Sequence, residues 1–96
     1  MLYVMRFDVN KGCGEEFMSF AKEAEDFWNS IEGVTSIQLY YKGIGAAQSR
    51  TVLIGIESLS TLDKAFTHPQ FESIKRQFRR ITENFESSVI IELPFG

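Results

Sequence analysis

Cysteine and histidine are nearly missing from this chain: among 96 residues, Cys13 and His68 stand alone. A single thiol closes no internal disulfide, and one Cys with one His cannot make a multi-ligand zinc site. Proline is as scarce, with only Pro69 and Pro94. Positive charge is also short. Ten Lys and Arg against thirteen Asp and Glu leave a formal net charge of −3. Nucleic acid and anionic membrane surfaces both call for a net basic footprint, so neither is expected as a partner. Apolar runs are brief: the longest, Val52 to Ile56, falls far below the ~20 residues that span a bilayer. The first residues, Met1 to Arg6, have neither the basic start nor the apolar stretch of a signal peptide. A cytoplasmic location is therefore expected.

What the chain does have is aromatic carbon. Nine Phe, three Tyr and one Trp sit within a 44% hydrophobic composition. That apolar content, with so little net charge, excludes disorder. A chain of this length supports one core, so a single domain over residues 1–96 is expected.

Periodicity then assigns elements. Tyr3, Met5, Phe7 and Val9 alternate with Val4, Arg6 and Asp8, which reads as a strand. Phe17, Phe20, Ala21, Ala24, Phe27, Trp28 and Ile31 fall at helical spacing, with Glu15 and Glu16 at the electropositive start and Gly33 at the stop. Strands are expected over 35–42 and 50–58, separated by the Gly43–Ser49 loop. Ser60-Thr61-Leu62-Asp63 has the form of a capping box opening a short helix through Phe66. Beyond Pro69, the spacing of Phe71, Ile74, Phe78, Ile81 and Phe85 predicts one helix through Phe85. A last strand is expected from Val89 to Leu93, ended by Pro94.

The order β-α-β-β-α-β, with right-handed crossovers, gives an α+β, ferredoxin-like two-layer sandwich: one antiparallel sheet with the helices on one face. Ile91 and Leu93 should join Tyr3, Met5, Phe7, Ile37, Leu39, Val52, Ile54 and Ile56 on the helix-facing side. The open side should carry Val4, Arg6, Asp8, Gln38, Tyr40, Leu53, Gly55, Ile90 and Glu92. That face is half apolar, which marks an interface and predicts a homodimer formed sheet to sheet; the alternative is a monomer with scattered surface apolar residues.

This order of elements, the short helical piece before Pro69, and the joint Phe66-Thr67-His68-Pro69-Gln70-Phe71 resemble the dimeric α+β barrel superfamily. Antibiotic-biosynthesis-type monooxygenases, EthD-like proteins and many uncharacterised members belong to it. The resemblance covers almost the whole chain. It implies paired sheets, a pocket between each sheet and its own helices, and a cofactor-independent monooxygenase- or isomerase-like activity on an apolar or aromatic compound. The alternative is a non-catalytic binding or assembly module of the same fold, because one scaffold serves many functions. Haem-degrading members place a Trp and an Asn beside the pocket. This second helix has no Trp, so no cofactor is expected, with haem the variant that the resemblance leaves open.

Three other users of this element order are excluded by their motifs. The third strand, Arg50 to Ile56, has no aromatic residue for RNA stacking. The first loop has one Cys where a copper chaperone needs two, and no Arg to cradle an acyl phosphate.

Among candidate site residues, His68 is the side chain that titrates nearest neutrality, and it would serve as acid or base; the bland reading is a residue filling the joint before Pro69. Tyr3 and Trp28 would line a pocket under the helices, although Trp28 also fits plain core. Arg6 and Tyr40, with Asp8, Gln38 and Glu92, would form a polar constellation on the open face, either ligand-binding or an interfacial ion-pair network. Cys13 lies near a helix start, where thiolate is favoured, but stands without a base. Lys75, Arg76, Arg79 and Arg80 form a basic stripe expected to face solvent or the acidic flank of the first helix.

Overall fold

The computed structural model describes residues 1–45 and 47–94; Ala46, within the expected Gly43–Ser49 loop, and Phe95 and Gly96 lie outside them. The elements run β1 (Leu2–Val9), α1 (Gly14–Asn29), β2 (Val34–Tyr41), β3 (Arg50–Ile56), α2 (Leu59–Phe66), α3 (Phe71–Ile81) and β4 (Thr82–Ile90). The sheet order is β2-β3-β1-β4, with every neighbouring pair antiparallel. This is the expected ferredoxin-like α+β arrangement.

The layers meet where the alternation predicts. Phe7, Ile54 and Ile56 are buried from the sheet, against Phe17, Phe20, Phe27 and Trp28 from α1 and Ile74 and Ile81 from α3. Each such side chain contributes about 1.5–3 kcal/mol through water exclusion. Gly33 follows α1 at φ 98°, a backbone setting that disfavours any Cβ, and its Cα faces the Thr61 side chain too closely for one. The α1 helix itself stops earlier than the glycine suggested, at Asn29, with Ser30 as its cap.

The carboxyl-terminal third departs from expectation. The helix does not continue to Phe85: α3 ends at Ile81 and Thr82 is already extended. Its last carbonyls are taken up by tertiary partners. Asn10 donates its backbone N–H to the Ile81 carbonyl at 2.9 Å and its side-chain amide to that of Arg80 at 3.2 Å. The Thr82 hydroxyl donates to the Phe78 carbonyl at 2.6 Å. With these groups satisfied, the chain leaves the helix and pairs along the free edge of β1. Phe85, Ser87 and Val89 also alternate, so the segment supports a strand as readily as a helix. The expected strand over 89–93 is thus displaced: β4 ends at Ile90. Ile91 and Leu93 do not face the helices but are exposed, and Glu92 lies beyond the sheet.

α2 runs through Phe66 as expected but opens two residues early, with Ser58 rather than Ser60 as its N-cap; Ser58 and Ser60 share a hydroxyl–hydroxyl bond of 2.7 Å.

Candidate functional site

Between the sheet and the helices lies a cavity of about 540 Å³. Its floor is the inward row of the sheet: Tyr3, Met5 and Phe7 from β1, Val52 from β3, and Ile37 and Leu39 from β2. Phe17, Phe20, Ala21, Ala24 and Trp28 come from α1, where the two alanines leave room that larger residues would fill. Phe71, Ile74 and Phe78 descend from α3, with Phe66 from the end of α2 and Phe85 from β4.

The aromatic rings gather in two groups. Tyr3 stands 5.9 Å from both Trp28 and Phe66, and Phe66 stands 5.1 Å from Phe71. Phe7 meets Phe78 edge-on at 4.8 Å and Phe17 at 5.6 Å, while Phe85 meets Phe78 at 5.2 Å. Tyr3 and Phe7 are four residues apart on one strand, roughly 13 Å at the usual rise. The cavity is therefore an elongated apolar slot with a cluster of rings at each end.

One hydroxyl enters this lining, that of Tyr3. Burial pushes its pKa up from the ordinary 10.0, and a hydrogen bond with the Ser87 side chain pulls partly against that rise. The phenol is accordingly neutral at physiological pH and available as a donor. The charged lining residues are Glu25 on α1 and Glu72, Lys75 and Arg79 on α3. The α1-facing flank of α3 is marked by Gln77, which bonds Glu23, and Arg80, which bonds Glu16. At 100° per residue, Glu72, Lys75 and Arg79 lie on the opposite flank.

The structure brings Tyr3 and Trp28 together on the cavity wall. It does not bring the other candidates to them. His68 is half-buried at the α2–α3 joint and lies outside the lining; its Nδ1 accepts the Gln70 amide at 3.0 Å, and its ring stands edge-on to Phe27 at 5.3 Å. Arg6 is exposed on the open face of the sheet, in register with Thr51 and Glu86. Tyr40 is on that face as well, beside Thr51 and half exposed. Because the cavity lining contains neither imidazole nor thiol, it presents none of the His or Cys ligands that commonly hold haem iron.

Asp8 belongs to a different cluster from the one its strand position suggested. Its carboxylate accepts the Gln48 N–H at 2.9 Å, the Ser49 N–H at 2.8 Å and the Asn84 side-chain amide at 2.9 Å. Those donors, the two backbone amides first, hold its carboxyl far below the usual carboxylate range. Gln48 in turn bonds the Asn84 carbonyl and Glu86, both at 3.1 Å.

Sequence reasoning also missed the rim. Lys75 and Arg79 lie in the expected basic stripe, yet both border the cavity. The available signal was their offset of one and five residues from Ile74, which places them beside the apolar stripe.

No protein-family model matches the sequence, and no curated protein matches it. Solved structures do. SnoaB, a cofactor-independent oxygenase from Streptomyces nogalater, superposes with a TM-score of 0.78 at 17% identity, over 96% of this chain and 93% of its own. Rv0793 from Mycobacterium tuberculosis gives 0.77 at 17% identity, over 98% and 95%. A candidate antibiotic biosynthesis monooxygenase from Nitrosomonas europaea gives 0.79 at 8% identity, over 97% and 98%. The chain shares the ferredoxin-like α+β fold of these proteins. At such identities the likeness is one of fold, and what this chain does depends on its own cavity.

Proposed function

We propose that this chain is a cofactor-independent, monooxygenase-like enzyme that takes an apolar aromatic compound into its sheet–helix cavity, and that it works as a homodimer. The observation that carries the reading is the ring-lined cavity of about 540 Å³ with a single interior phenol. Its volume suits a small molecule, and its rings favour offset or edge-on packing with an aromatic guest.

Oxygenation without a cofactor draws its electrons from the substrate. A ring CH₂ activated by a neighbouring carbonyl gives its proton to water at the rim. The resulting carbanion adds dioxygen, takes up a proton to become a hydroperoxide, and expels water to leave a ketone. One CH₂ and one O₂ thus become one C=O and one H₂O. The neutral Tyr3 hydroxyl supports the first step by donating to the carbonyl oxygen as it gains enolate charge. In this scheme Tyr3 takes the acid place that the sequence offered to His68, and Trp28 stacks on the substrate.

Tyr40 and Ile90, each half exposed, with the partly buried Leu53 on the same face, support sheet-to-sheet pairing, whereas Val4, expected on that open face, is already buried within the single chain. Light scattering should give about 22 kDa, twice the 11.0 kDa chain mass; a clean 11 kDa species at micromolar concentration would remove the dimer.

The catalytic test is oxygen uptake with polycyclic ketones such as anthrone, alongside the shift in melting temperature that the same compounds produce. The reading predicts a saturable shift and enzyme-dependent oxygen consumption, both reduced in Tyr3→Phe. A shift without oxygen uptake would establish the non-catalytic binding module, a reading favoured by the single titratable group in the interior. No shift at all would overturn both.

A further inference from the structure

We infer that the cavity selects ligands carrying an anionic oxygen at one end, and that Arg79 is the residue that holds it. The inference deepens the proposed function and rests on it, since it requires that the cavity hold a ring-bearing guest.

The interior is almost wholly apolar, so the orientation of a guest is decided where polar groups touch the lining. On α3 those groups are Glu72, Lys75 and Arg79. Two of the three are already engaged with each other: the Lys75 ammonium stands 3.1 Å from the Glu72 carboxylate. Arg80, the neighbouring cation, is joined to Glu16 across the helix pair. Among the described residues Arg79 is joined to no carboxylate. Arg79 thus brings to the cavity lining a cation with no carboxylate partner.

The charge on α3 differs from that of the chain. The chain as a whole is acidic, at −3, yet α3 carries Lys75, Arg76, Arg79 and Arg80 against Glu72 alone. With Lys75 and Arg80 paired, Arg79 is the cation of the lining that has no carboxylate among the described residues, and Glu25 on α1 is the acid of the lining that has no cation. Beside Arg79, Phe78 and Phe85 meet at 5.2 Å, and Phe85 is half exposed. A planar guest entering here packs its rings against these two while an oxygen anion at its edge meets the guanidinium. The planar fork of arginine fits a carboxylate through two parallel N–H···O bonds. The ligand class is accordingly an aromatic acid, or a ring system with an equivalent anionic oxygen.

Calorimetric titration of the full chain with 2-naphthoate and with its neutral partner 2-naphthamide tests this directly. The two probes share one ring system and differ in charge. The wild type should bind the carboxylate about five-fold more tightly at low salt, the scale of a partly exposed ion pair, and salt should shrink the difference. Arg79→Gln should equalise the two probes, and Arg79→Lys should restore part of the preference. Arg76→Gln, outside the cavity lining, should keep it. Equal binding of both probes by the wild type, or an undiminished preference in Arg79→Gln, would overturn the role of Arg79 while the cavity reading stands. Binding of neither probe would overturn the cavity reading and this inference with it.

Discussion

Asn84, in the left-handed region at φ 55°, reaches back to Asp8 and places its side-chain amide 2.9 Å from that carboxylate. The two are 76 positions apart in the chain. Asn84 occupies the bulge in β4, where the register with β1 passes from Arg6–Glu86 to Asp8–Glu83 and one extra residue is accommodated. Gln48, also in the left-handed region at φ 64°, donates its backbone N–H to the same carboxylate. Two backbones in a sparsely populated conformation are thus held by one acid.

Asp8→Asn should lower the melting temperature at pH 7, because an amide nitrogen turned toward Gln48, Ser49 and Asn84 meets donors rather than acceptors. The pH dependence follows from the direction of the shift. The carboxyl is more acidic folded than unfolded, so its stabilisation is complete above about pH 5 and is lost as pH falls through and below 4. Melts at pH 7, 4 and 2 should show the gap between wild type and variant closing on acidification. A gap independent of pH would refute the assignment.

Tyr3 titrates in the opposite sense. Burial favours its neutral form, so the stability tied to that form is present below pH 10 and declines as pH rises above it. Wild type should lose stability more steeply than Tyr3→Phe between pH 9 and 11. From pH 6 to 9 the two should run parallel, and oxygen uptake by the wild type should show no inflection from this residue.

Phe7 is almost fully buried and packs edge-on against Phe78. Phe7→Ala should cost about 3–5 kcal/mol, the loss of a large core ring with incomplete relaxation of its neighbours. Urea unfolding should show a lower midpoint with the slope unchanged; a loss under about 1 kcal/mol would mean that the two layers are not packed through this ring.

His68→Ala should leave ligand-induced melting shifts and oxygen uptake at wild-type levels. Its Nδ1 accepts the Gln70 amide in the turn that leads into α3, so the cost is structural, about 0.5–1.5 kcal/mol. A selective fall in turnover with stability intact would return His68 to the reaction.

How far the sequence reaches differs along the chain. From Tyr3 to Phe66 the periods of two and near four are unambiguous, since the apolar residues fit one template and fail the other. From Phe71 to Val89 they fit both, because Phe85 continues a helical stripe and also begins a β alternation. Tyr3 and Trp28 could be placed near a pocket because each lies on a face whose direction its own element sets. Arg79 could not, because its position beside the apolar stripe becomes a position beside a cavity only once β4 brings Phe85 to the same opening.

The sequence by itself determined the element order, the two layers and the aromatic core, because these follow from local spacing and from the need to bury apolar surface. Only the tertiary structure decided where α3 ends, which cations border the cavity, and that Asp8 ties the loop before β3 to the bulge in β4. Those outcomes depend on groups from distant segments, Asn10 at the end of α3 and Gln48 and Asn84 around Asp8. Hydrogen-bond partners of that kind are chosen by packing in three dimensions, and spacing along the chain has no bearing on them.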